Sequence, residues 1–91
     1  MTLNKLNNNH DLYNLLIKLK MKFIELNQLD VANSLDHASQ FIINTSGEFL
    51  EEAEQALNLV KVNSKSFITN DEIAEINNAL NQIRIAFKRD E

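Results

Sequence analysis

Residues 68–88, ITNDEIAEINNALNQIRIAFK, decide the fold of this chain. Ile73, Ile76, Leu80, Ile83 and Phe87 recur at alternating spacings of three and four, which sets them on one stripe of an α-helix. Thr69 and Glu72 stand at capping-box distance, where each side chain accepts the other residue's orphan backbone N–H. Ile68 and Ile73 occupy the two positions of a hydrophobic staple. The pattern predicts a helix over about 70–88 whose apolar stripe must be buried against something else.

Moving toward the N-terminus, the same period returns three times. Phe49, Ala53, Ala56 and Val60 make a core stripe, with Leu50 and Leu57 on its flank, and predict a helix over about 46–62. Thr45 and Glu48 repeat the capping-box spacing, just beside Gly47, the only glycine. Val31, Leu35, Ala38 and Ile42 predict a shorter helix over about 31–43, with Asp30 as its N-cap. Leu12, Leu16, Leu19, Phe23 and Leu26 predict a helix over about 9–26. Asn27 suits its end, because asparagine tolerates the left-handed conformation. Residues 1–8 are polar and asparagine-rich and read as a flexible tail.

Four amphipathic patterns, short connections and no proline describe one all-α domain of 91 residues. Short connections make sequential helices antiparallel, so a small up-down four-helix bundle is expected. A looser four-helix array is the alternative, since the second helix is the shortest.

The composition excludes several chemistries. There is no cysteine, which removes disulfides, zinc–thiolate sites and thiol catalysis together. A single glycine cannot build a phosphate-cradling loop. The Glu-x-x-His pairs of a di-metal bundle are missing. Asp36 and His37 are adjacent, but neighbouring helical residues point about 100° apart and do not face each other. His37 instead stands four residues before Phe41, where the two rings can pack. No catalytic, cofactor-binding or metal-binding residue is expected, and the chain reads as a non-enzyme.

Charge narrows the partner. The formal net charge is −4, which disfavours generic nucleic-acid binding. Lys18, Lys20 and Lys22 form the main basic cluster, and they read as a solvated face. The longest apolar stretch, Leu12 to Leu26, is broken by Asn14, three lysines and Glu25 and is too short to span a bilayer. Met1 to Asp11 has no apolar segment of the secretory type. These features predict a cytoplasmic protein with no membrane role. Heavy use of asparagine, isoleucine and lysine fits AT-rich codons, and hence a low-GC bacterial or mobile-element source.

Two surfaces remain as candidate interfaces. Glu48, Glu52, Gln55 and Leu59 follow spacings of four, three and four along the third helix, with Glu51 beside them. Like charges so placed repel by a few tenths of a kcal/mol per pair, a cost that solvent or a basic protein partner offsets. Tyr13, Ile17, Met21 and Ile24 form an extra apolar stripe on the first helix. A neighbouring helix can bury it; left exposed, it would suit a homodimer contact.

In size, helix number and acidity the chain is similar to the nuclease-type colicin immunity proteins. Their paired tyrosines before a proline are missing, since this chain has one tyrosine and no proline. The likeness implies a bacterial immunity protein or antitoxin that blocks a basic toxin by charge complementarity. The other classes to be weighed are a homo-oligomeric scaffold and a small transcription or DNA-associated regulator.

Overall fold

A computed structural model describes residues 9–43 and 47–89. The expected tail at residues 1–8, and Thr45 of the second expected capping box, lie outside them. The described residues form a small all-α four-helix bundle: α1 (Asn9–Glu25), α2 (Leu29–Ser39), α3 (Glu48–Asn63) and α4 (Asn70–Arg89). Two 3-10 turns, Gln40–Ile43 and Lys65–Phe67, follow α2 and precede α4.

Contacts between named residues give the topology. Lys18 pairs with Glu75 and Lys22 with Glu72, so α1 ascends as α4 descends. His37, near the end of α2, meets Glu52, near the start of α3, and those helices are antiparallel too. At the same end, Gly47 lies against the Phe87 ring near the end of α4. The order is therefore up-down-up-down. α1 packs most closely on α2 and α2 on α3, while α4 lies chiefly against α3.

The predicted stripes meet in one core. Leu12, Leu16, Leu19 and Phe23 of α1 are buried with Ala32, Leu35 and Ala38 of α2. Phe49, Ala53, Ala56, Leu57 and Val60 of α3 join Ile76, Ala79, Leu80 and Ile83 of α4. Phe67 in the turn before α4 sets its ring edge-on to Phe23, with centroids 6.4 Å apart.

The best-specified boundary forms as its sequence predicts. The Thr69 N–H donates to Glu72 Oε1 at 2.8 Å, and the Glu72 N–H donates to Thr69 Oγ1 at 3.1 Å. At the other well-marked boundary Asn27 has φ 62°, in the left-handed region. The Gln28 N–H donates to the Phe23 carbonyl and the Asn27 N–H to the Ile24 carbonyl. These two bonds are a Schellman motif, which satisfies carbonyls that the end of α1 leaves open.

Four local expectations are corrected. Leu26 was expected in the core stripe, but it is 40% exposed, because α1 ends at Glu25 and the Schellman turn swings Leu26 outward. α2 begins at Leu29 rather than Val31, and its N-cap is Gln28 rather than Asp30. The tight turn at Asn27 lets the Ala32 N–H reach the Gln28 carbonyl at 3.1 Å, so the helix starts at once. Asp30 instead sits in the first turn, where a carboxylate complements the helix dipole. The last residues assigned to α2 tighten into the 3-10 turn. α3 begins at Glu48 rather than residue 46, with Gly47 at its N-cap position and no side-chain cap there.

Candidate functional site

The α3 row lies on the flank of that helix facing the edge of α2. Burial of Phe49, Ala53, Ala56 and Val60 fixes the rotation of α3, and the row follows about 100° of turn per residue away from them. Glu48, Glu51 and Gln55 are exposed, and Leu59 is 42% exposed. Glu52 is half-buried, because α2 runs beside it. Glu48 and Glu51 also occupy the first turn of α3, where the helix dipole stabilises them.

Between α2 and α3 is an open cleft of about 300 Å³. Asn33, Ser34 and His37 line it from α2, and Glu52, Gln55, Ala56 and Leu59 from α3. His37 Nε2 stands 3.9 Å from Glu52 Oε1. That distance allows ion pairing with a protonated ring but exceeds a hydrogen bond. The imidazole also packs edge-on against Phe41, centroids 5.3 Å apart, in the arrangement expected from their spacing. The cleft thus unites Glu52, Gln55 and Leu59 from the predicted row with an α2 wall that the sequence did not single out. Asn33, Ser34 and His37 share one flank of α2, but only the placement of α3 beside that flank gives them a common neighbour.

The basic cluster is not a solvated face. Lys18 Nζ lies 2.9 Å from Glu75 of α4, and Lys22 pairs with Glu72 of the same helix. Lys20 Nζ lies 2.9 Å from Asp36 Oδ1 on α2. The Lys20 hydrogen bond is the main reason the Asp36 carboxyl is held below its usual range, against a smaller opposing influence of burial. Gln40 Nε2 donates to the other Asp36 oxygen at 3.1 Å. The correction has a geometric cause: Lys18 and Lys22 reach one neighbouring helix while Lys20 reaches the other. Each lysine acts as an interhelical tie.

The extra α1 stripe is divided. Tyr13 and Ile17 are half-buried, and Tyr13 packs on the core. Met21 and Ile24 remain 56% and 45% exposed. Among the described residues, no group of three or more His, Asp or Glu is arranged to hold a metal ion. No described helix is long and apolar enough to cross a membrane.

The chain matches no known protein family, no curated protein and no solved structure. Its functional reading therefore rests on its own surfaces.

Proposed function

We propose that this protein is a small, acidic, non-enzymatic binding domain, of the bacterial immunity-protein or antitoxin kind, that blocks a basic protein partner. The recognising surface is the α2–α3 face, carried by Glu48, Glu51, Glu52, Gln55 and Leu59. The observation that supports it is the distribution of charge. All three α1 lysines are directed at acids of α2 and α4. Glu51 and Gln55 of the row are exposed on the α3 flank, in a chain whose net charge is −4. Such a face steers a cationic protein and rejects an anionic one. The same pairing ties the α1 lysines to acids of their own chain, which speaks against a nucleic-acid interface on that helix.

The test is affinity capture from the native host, with wild-type protein and Glu51→Lys as parallel baits. Glu51 is exposed and away from the core, so the variant keeps its fold. A basic protein held by the wild type and depleted on the variant is the expected result. A partner held equally by both, or an acidic partner, contradicts the assignment.

A second reading has one observation of its own. The exposed Met21 and Ile24 suit a twofold contact between copies of this chain. A solution mass twice that of the monomer, reduced to the monomer by Met21→Glu, is the outcome that reading requires.

A further inference from the structure

We infer that the α2–α3 cleft seats one arginine side chain of the partner, which deepens the reading above and rests on it. At about 300 Å³ the cleft lies at the lower limit of small-molecule sites, so it suits a single long side chain better than a cofactor. Its lining is divided in the way such a side chain is. Ala56 and the half-exposed Leu59 offer apolar surface for a methylene stem. Glu52, Gln55, Asn33 and Ser34 offer oxygens for a cationic head.

Ser34 and Glu52 keep acceptor capacity. Ser34 Oγ donates its hydrogen to the Asp30 carbonyl at 3.2 Å, so its lone pairs are left for a ligand. The 3.9 Å separation of His37 Nε2 from Glu52 leaves that carboxylate without a hydrogen bond from the ring. A carboxylate, two amide oxygens and a hydroxyl are more acceptors than an ammonium group can use with its three donors. A guanidinium has five donors in a planar fork, and it binds a carboxylate through two parallel bonds. It is also more weakly hydrated than an ammonium, so losing part of its water on entering the cleft costs it less. Among the described residues no lysine or arginine lines the cleft, and His37 is the one lining side chain that can carry a positive charge.

The experiment is an NMR titration of the full chain with N-acetyl-arginine amide, read at backbone amides. The lysine and citrulline amides are run in parallel. Saturable shifts are expected at Asn33, Ser34, Glu52, Gln55 and Leu59, with affinity on the order of 1 mM, as befits one side chain. The lysine probe should bind more weakly, and the neutral citrulline probe should not saturate. Glu52→Gln should weaken the arginine probe by about tenfold, which corresponds to 1.4 kcal/mol. Glu25→Gln, on α1 and outside the cleft, should leave it within about twofold. A citrulline response equal to that of arginine, or an equal loss in both variants, overturns the proposal. If the arginine probe fails while the captured basic protein still depends on Glu51, the cleft is excluded and the acidic-face reading stands. If the probe binds as described but no basic partner is captured, that reading fails and the arginine chemistry of the cleft stands.

Discussion

Lys22 in the last turn of α1 pairs with the Glu72 carboxylate that also caps the first turn of α4. One oxygen, Oε1, accepts from both the Lys22 ammonium and the Thr69 backbone N–H. Starting α4 and docking it on α1 are therefore coupled through one side chain. Partial burial acts most strongly on this carboxyl and alone would raise its pKa. The Lys22 hydrogen bond, the Thr69 N–H and the lysine charge together outweigh burial and hold it below its ordinary value.

Glu72→Ala should cost about 1–3 kcal/mol, since it removes a cap and a charged hydrogen bond together. Glu72→Gln should cost less, because glutamine can still complete a capping box. The pH dependence has a definite sign. The folded carboxyl titrates below the unfolded one, so the unfolded chain takes up the proton first as pH falls. The stability that Glu72 contributes is complete above about pH 4.3 and is lost as pH drops through the folded value. Thermal melts of wild type and Glu72→Gln should differ most near neutrality and converge in acid.

The three lysine ties should differ in strength. Lys18 and Glu75 are both about half exposed, and such pairs are worth about 0–1 kcal/mol. Lys22 and Glu72 are mostly covered, so Lys22→Ala should destabilise more than Lys18→Ala. Denaturant unfolding of the two variants checks the order. Equal midpoints would show that the cap alone, without the tie, holds α4.

Leu16 and Leu26 lie on one sequence stripe but in different surroundings. Leu16 is fully buried, and Leu16→Ala should cost about 2–5 kcal/mol. Leu26 is exposed beyond the end of α1, and Leu26→Ala should stay within about 0.5 kcal/mol. The same denaturant measurement separates them. A large loss at Leu26 would place it back in the core.

These contrasts show what the sequence makes legible. The α4 cap was readable because Thr69 and Glu72 are within one turn of each other, and the bond between them needs no other helix. The core stripes were readable because burial selects the helical period directly. The start of α2 was not, since Gln28 and Leu29 carry no cap signal and the helix inherits its start from the Schellman turn before it. The lysine ties and the His37–Glu52 contact were also illegible. Their partners are far away in sequence, and only the assembled bundle chooses them. For the same reason the acidic row was visible as a row, but its α2 wall was not.

Asn27 offers a test of the turn itself. Its φ of 62° strains any side chain that cannot bond locally, and glycine has no such penalty. Asn27→Gly should be close to neutral, while Asn27→Ala should cost about 1 kcal/mol. Matched thermal melts measure both. A more stable Asn27→Ala would contradict the left-handed assignment.

On the proposed reading the α3 acidic face binds a cationic protein. Glu48→Lys with Glu52→Lys reverses two charges on that face, both off the core stripe, so the helical signal should be unchanged. The decisive measurement is the association rate with the basic protein captured from the host, at low and moderate salt. Wild type should associate faster at low salt and slow markedly as salt rises, because steering is screened over about 10 Å at 0.1 M. The double variant should associate more slowly, with a much flatter salt dependence. Identical rates for both proteins at both salts would contradict the account and leave the glutamates as a solvated helix end.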